Sequence, residues 1–221
     1  MLVSTGYAVL HLFVSPYDDD RSGVDRAALV GAVAAARDAG AQVLTAALLG
    51  HKADAAFMVL GPDTAVLRAF QVAVQDAGLE LIDSYLSITE VSEYAAGLPE
   101  HMVQSRLYPQ LPPEGKPAFC FYPMTKRREG ADNWYTTPYD DRLAMMHEHG
   151  SSGRKFAGRV LQLITGSTGL DAYEWGVTLF ADGLETLKDV VYTMRFDQAS
   201  ARFGEFGDFW VGELVPVDAI Y

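Results

Sequence analysis

Residues 159–181 read RVLQLITGSTGLDAYEWGVTLFA. Two runs rich in β-branched and aromatic side chains, 159–165 and 173–181, flank Gly166-Ser167-Thr168-Gly169, so the stretch reads as two strands joined by a hairpin turn. Working outward, residues 118–124 (AFCFYPM) form a strand, and residues 138–157 have helical spacing with a break expected near Gly150. Residues 184–200 are a second helix and residues 209–215 a last strand. The order is β-α-β-β-α-β. The first half repeats it: strand 6–14, an acidic turn at Asp18-Asp19-Asp20, and helix 24–39 with Ser22 as its expected cap and Gly40 as its stop. Strands 41–49 and 55–60 follow, then helix 64–77, opened by Pro62 and Asp63 and closed by Gly78, and strand 79–89. Both halves match the split β-α-β, ferredoxin-like pattern. Two such units side by side join their sheets into a barrel-like core with helices outside. The expectation is one α+β domain: a repeat over 1–95, a Pro-rich linker over 96–117 and a second repeat over 118–221.

The chain has 221 residues, enough to bury a substantial core, and its 49% hydrophobic and 21% charged content is that of a globular protein. A net charge of −12 argues against nucleic-acid binding, because no dense Lys/Arg face is present to neutralise a polyanion. Lys126, Arg127 and Arg128 form the tightest basic cluster, and a local cationic pocket can still hold carboxylates. A single cysteine, Cys120, excludes an internal disulfide framework and fits a reducing compartment. No stretch resembles a signal peptide, and no apolar run approaches the roughly 20 residues that span a bilayer. The expectation is a cytoplasmic protein with no membrane partner.

The strands of the first half are nearly pure Ala, Val, Leu and Phe, whereas the second half carries Tyr122, Gln162, Glu174 and Trp175 on or beside its strands. Chemistry is therefore expected in the second half. His149 near a helix end is a candidate iron ligand, though a capping or solvated histidine looks the same. His147 competes with it, and two positions apart on a helix their rings point to different sides. Gln162 shares a strand face with Val160 and Ile164; it is either an interior amide in need of a partner or an outward side chain on a half-exposed strand. Tyr122 reads as core packing unless a cation such as Lys126 or Arg106 accompanies it. Trp134 and Trp175 offer flat apolar walls or ordinary core aromatics. Arg195 and Ser200 either hold a carboxylate or cap and pair locally. The sequence has no Gly-rich phosphate loop between strand and helix, no His-Glu-x-x-His or Cys-x-x-Cys metal spacing, and no nucleophile elbow.

Taken together, Arg106-Leu-Tyr-Pro, Cys120-Phe-Tyr-Pro-Met-Thr-Lys126, Asn133-Trp-Tyr, His149-Gly-x-x-Gly-Arg154, Gln162-x-x-Thr-Gly-Ser167, Tyr173-Glu-Trp-Gly-Val-Thr-Leu-Phe180 and Met194-Arg-Phe-Asp-x-x-Ser-Ala-Arg202 resemble the chlorite dismutase-like superfamily. They look specifically like its coproheme decarboxylase branch, in the actinobacterial form. The likeness is close over the second repeat and holds in outline over the first. It implies a dimeric α+β barrel, assembled as a homopentamer, that binds iron coproporphyrin III (coproheme) as both substrate and redox cofactor. Hydrogen peroxide is the oxidant, and two propionates become vinyl groups, giving haem b in the last step of coproporphyrin-dependent haem biosynthesis.

The resemblance also implies roles. His149 would be the proximal iron ligand. Gln162 would take the distal position where chlorite dismutases carry an arginine, a departure that argues against chlorite chemistry. Tyr122 would be the radical-forming residue beside the reactive propionate. Lys126, Arg106, Ser200 and Trp134 would position propionates, Met124 would line the cavity, and Trp175 and Arg195 would complete the porphyrin site. His101 is a candidate for the distal base. Implied partners are the porphyrin, peroxide and, in passing, the iron-inserting chelatase. The alternatives are a non-catalytic haem carrier on the same barrel and a haem-free barrel of the small monooxygenase type.

Overall fold

Strand alternation and helix spacing set the elements of the computed structural model, which describes residues 3–17, 21–95 and 97–221; the Asp18-Asp19-Asp20 turn lies outside them. The first half comprises β1 (Thr5–Pro16), α1 (Arg26–Asp38), β2 (Gln42–Leu48), β3 (Ala55–Gly61), α2 (Thr64–Asp76) and β4 (Leu79–Glu90). A 3-10 turn, Glu93–Ala95, and α3 (Glu100–Leu107) follow, so the expected linker contains a helix. The second half runs β5 (Ala118–Lys126), a two-strand ribbon of β6 (Arg128–Glu129) and β7 (Asp132–Asn133), and a 3-10 turn, Trp134–Thr136. It continues through α4 (Tyr139–Arg154), β8 (Val160–Gly166), β9 (Trp175–Ala181), α5 (Leu184–Met194), α6 (Gln198–Phe203), β10 (Gly204–Phe206) and β11 (Trp210–Leu214).

Within each half the strands take the ferredoxin-like antiparallel order, β4-β1-β3-β2 and β11-β5-β9-β8. The halves meet at two seams, β2 with β11 and β4 with β8, and the β5–β9 pairing closes the ring. The result is an α+β barrel built from two ferredoxin-like repeats. Alternation sends one set of side chains inward, including Phe13, Met58, Phe119, Phe121, Leu163 and Phe180. The other set packs outward, against α1 and α2 in the first half and against α5 in the second.

Local chemistry explains the helix limits. The carboxylate of Asp25, rather than Ser22, caps α1, accepting from the Ala28 N–H at 2.9 Å. Asp63 does the same for α2 on Ala65 at 2.8 Å. Gly78, at φ +92°, needs the left-handed region, and a Cβ there would lie 2.2 Å from the Gly23 carbonyl oxygen. The helix expected over 184–200 is two helices, because Asp197 caps α6 by accepting from the Ser200 N–H at 2.9 Å. Conversely, α4 runs unbroken through Gly150. Met194 of α5 packs against α4 at Gly153, where a Cβ would meet its Cε at an ordinary contact distance of 3.8 Å.

One polar side chain stands out in the barrel interior. His11 is fully buried, with its ring centroid 4.1 Å from that of Phe121 and Nε2 3.0 Å from Thr178 Oγ1, while Nδ1 has no partner. Burial lowers its pKa from 6.5 to about 3. The folded chain thus keeps His11 neutral where the unfolded chain takes up a proton.

Two expectations follow from this architecture. A Cβ on Gly212 would lie 2.1 Å from the Ala47 carbonyl oxygen, within the β2–β11 seam. Gly212→Ala should therefore shift the urea midpoint downward by about 1–3 kcal/mol of stability, and an unchanged midpoint would show that the seam does not hold the barrel. For His11, stability is complete above pH 6.5 and declines as pH falls toward 3. The slope reaches about 1.4 kcal/mol per pH unit; His11→Gln, compared with wild type by urea unfolding at pH 7 and pH 4, should lose less on acidification.

Candidate functional site

The outward face of β5 carries Ala118, Cys120, Tyr122, Met124 and Lys126 at every second position. Register extends that face across the sheet. Tyr122 lies opposite Val177, which lies opposite Ile164; Met124 is opposite Trp175, and Cys120 is opposite Leu179, which is opposite Gln162. Tyr122, Met124, Lys126, Trp175 and Gln162 therefore share one face, with Gln162 two strand spacings, about 10 Å, from β5. The helices leave the β8 part of it uncovered: Gln162 is exposed, and so is the apolar Ile164 at 41%. Of the two readings the sequence left open for Gln162, the structure takes the outward one. Its amide has no hydrogen-bond partner among the described residues.

Tyr122 is buried between rings, 4.4 Å from the Phe209 centroid in a stacked arrangement and 5.8 Å from that of Phe206. Burial raises its pKa above the ordinary phenol range, with Cys120 adding to the rise and the Arg195 charge opposing it. The hydroxyl bonds to no described residue. The cation beside Tyr122 is thus Arg195, not Lys126 or Arg106. Arg195 Cζ lies 3.6 Å from the Phe206 ring centroid, and its guanidinium makes no ion pair with a described carboxylate.

Lys126 is turned the other way. Its Nζ donates to the Ala199 carbonyl at 2.7 Å and lies 4.9 Å from the centroid of Trp134, itself buried. Burial lowers its pKa to about 8, partly opposed by the carboxylate of Asp197. Arg127 and Arg128 instead point to solvent and pair with Glu205 at 3.2 Å and Glu174 at 3.8 Å, so the basic cluster of the sequence is split.

His149 comes from α4 to the same neighbourhood. Its Nδ1 lies 2.9 Å from Asp197 Oδ2 and 3.3 Å from Ser200 Oγ. Desolvation works to raise the Asp197 pKa, yet bonds from His149 and Ser200 and the His149 charge hold it below the usual carboxylate range. A carboxylate on Nδ1 fixes tautomer and ring orientation and leaves Nε2 as the ligand atom; Nε2 has no partner among the described residues. His147 is exposed on another side of α4.

The structure thus gathers Lys126, Trp134, His149, Ser200 and Asp197 into one cluster, and Tyr122 with Arg195 into a second on the same sheet face. Trp175 lies on that face, with its Nε1 donating to Glu90 at 3.2 Å. Arg106 and His101 lie apart from both clusters, exposed on α3, which packs on β1 and β4. Asp197 was the residue missed. Its Asp-x-x-Ser spacing is a helix-start signal, but its pairing with His149 joins positions 48 apart in the chain. The donor set fits a flat metal macrocycle: one oriented imidazole with a free nitrogen, a partly apolar open face, and cations for acidic arms. Among the described residues no three His, Cys, Asp or Glu side chains form a metal cage, and no helix is long and apolar enough to cross a membrane.

Comparison with known proteins bears on the fold and the family. A solved structure described as a novel haem-binding protein from Thermus thermophilus is 35% identical, with a TM-score of 0.89 over 99% of this chain and 95% of that one. A mutant chlorite dismutase from Candidatus Nitrospira defluvii superposes with a TM-score of 0.77 at 20% identity, over 98% of this chain and 94% of that one. A second mutant of that enzyme gives 0.78 at 22% identity over the same shares. These two show the fold. Residues 25–215 match the sequence model of the chlorite dismutase family, and the chain belongs to that family.

Proposed function

We propose that this chain binds iron coproporphyrin III and uses hydrogen peroxide to convert two of its propionates to vinyl groups, yielding haem b as the last step of coproporphyrin-dependent haem biosynthesis. One observation carries the reading. His149, oriented by Asp197 with Nε2 free, adjoins a sheet face that bears the unbonded Tyr122 hydroxyl and the unpaired Arg195. A phenol and a free cation on one face are what oxidation of a carboxylate-bearing arm requires, and binding alone does not need the phenol.

Bound there, the iron porphyrin would supply the two-electron reduction of peroxide together with the propionates that are consumed. Each propionate loses carbon dioxide, one proton and two electrons as it becomes a vinyl group; one peroxide takes the two electrons and becomes two waters. His149 Nε2 serves as the iron ligand, and Asp197 holds the ring by Nδ1. Tyr122 keeps its proton at neutral pH because burial raises its pKa. It gives up that proton with an electron, then recovers both as a hydrogen atom from the propionate β-carbon. Loss of carbon dioxide and a second electron completes the vinyl group. The abstraction needs close approach, so Arg195, Lys126, Ser200 and Trp134 act by orienting carboxylates, while Arg106, exposed on α3, lies too far from both clusters to join them. Gln162, Met124 and Trp175 wall the face, and Gln162 offers a neutral amide where a cation would favour an oxyanion. Assembly as a homopentamer is part of this reading.

A haem carrier without this chemistry is the second reading, favoured by the similar Thermus thermophilus structure, which is described by haem binding alone.

Titration with iron coproporphyrin III followed by peroxide, read by absorbance and mass spectrometry, separates the two. The wild type should yield haem b, while Tyr122→Phe should bind coproheme and form no vinyl product. Haem b from that variant at the wild-type rate would remove Tyr122 from the mechanism, and a wild type that binds but only bleaches would favour the carrier. Lys126 adds a pH test. It is charged below a pKa of about 8 and neutral above it, so coproheme affinity should fall as pH rises through 8. Lys126→Arg, whose guanidinium stays charged, should bind with little change across that range.

A further inference from the structure

Arg142 lies outside every role assigned above, yet it is among the most constrained cations in the molecule. Its side chain is only 17% exposed. The guanidinium carbon stands 5.7 Å from the ring centroid of Tyr94, 6.0 Å from that of Trp134 and 5.7 Å from that of Tyr139. Nη1 donates to Glu93 Oε1 at 3.2 Å and to the Tyr94 hydroxyl at 2.9 Å, whereas Nε is buried with no acceptor. Ring faces and not hydrogen bonds therefore compensate that side of the charge. The partners come from three places: Glu93 and Tyr94 follow β4 of the first half, Trp134 belongs to the turn after β7, and Tyr139 starts α4.

We infer that Arg142 is a positioning residue, which fixes the start of α4 so that His149 is delivered to Asp197 and which holds Trp134 against Lys126. Two links carry the effect. Arg142 and His149 are seven residues apart on α4, two turns along one face and about 10 Å in rise. Met145 and Met146, between them, pack with Trp134, Ala199, Phe203 and Tyr94. The second link is Trp134, whose ring meets Tyr94 and Phe203 edge-on as well as the Lys126 ammonium. Loosening Arg142 frees both the helix that carries the imidazole and the ring that packs the lysine. A lysine at 142 cannot substitute, since a point charge lacks the planar fork that meets rings and acceptors together.

The inference rests on the porphyrin-binding reading, and the experiment separates the two. Full-length wild type, Arg142→Gln, Arg142→Lys and Glu93→Gln are compared by thermal unfolding, by coproheme titration and by NMR of the His149 ring nitrogens in the ligand-free protein. Arg142→Gln should weaken coproheme affinity about tenfold, as losses beyond the ligand itself do, and should give a mixed iron-ligation spectrum. Arg142→Lys should not restore it, and Glu93→Gln, which keeps the arginine, should show a smaller change of the same kind. A lowered melting temperature with wild-type affinity and spectrum would overturn the inference, leaving Arg142 a structural residue only. Should the wild type take up no coproheme, the porphyrin reading fails by itself. The ring shifts then decide Arg142: they change in Arg142→Gln if it positions His149, and unchanged shifts refute it. Should Arg142→Gln fail to fold, the ring shifts and affinity of Glu93→Gln decide the matter in the same way.

Discussion

The register of β5 is the constraint on which the rest of the molecule turns. Its side-chain period is two, so a slip of one residue would exchange Phe119 and Phe121 with Cys120 and Tyr122. The first pair fills the barrel interior, and the second faces the helices. Pairing on both sides, with β9 over Ala118 to Met124 and with β11 over Ala118 to Phe121, leaves no alternative register that keeps the aromatic interior dry. The same pairing closes the barrel. Closure and placement of the chemistry-bearing side chains are thus one event.

Electrostatics then divide the face. The chain carries 29 acidic and 17 basic residues, yet two cations near Tyr122 and Trp134 are held by rings and backbone and not by carboxylates. Arg195 is such a cation, held on the Phe206 ring. Lys126 is shielded differently, its ammonium satisfied by a backbone carbonyl and an indole face at the cost of a depressed pKa. Asp197 has the opposite task. It takes a buried negative charge, and bonds from His149 and from the first turn of α6 keep it ionised. A short helix and its cap therefore serve as the support for an imidazole on a different helix. In the proposed reaction, that support and the free phenol stand on neighbouring parts of one surface.

Much of the fold was legible because it depends on local periodicity. Alternation in 159–165 and 173–181, the glycine stops at Gly40 and Gly78, and the Asp63 cap all act over a few residues. Departures arose where helix-end signals misled or where a distant contact placed a side chain. Gly150 looks like a helix breaker, yet α4 runs on through it to Arg154. Residues 184–200 look continuous, yet Asp197 ends one helix and starts another. The strands of the first half looked nearly purely apolar, and the fully buried His11 among them finds a partner for Nε2 only in Thr178 of β9, across the barrel.

Residue chemistry and periodicity by themselves determined two β-α-β-β-α-β units and singled out the second half, with Tyr122, Lys126, His149 and Gln162, as the place to look for a site. Only the tertiary structure decided which of them meet. It set Lys126 against Trp134 and Asp197 instead of Tyr122, gave Tyr122 Arg195 as its cation, turned Gln162 outward, and brought Asp197 to His149. The physical reason is range: strand and helix periods are written within about a dozen residues, while ion pairs and ring contacts join side chains that only barrel closure brings together.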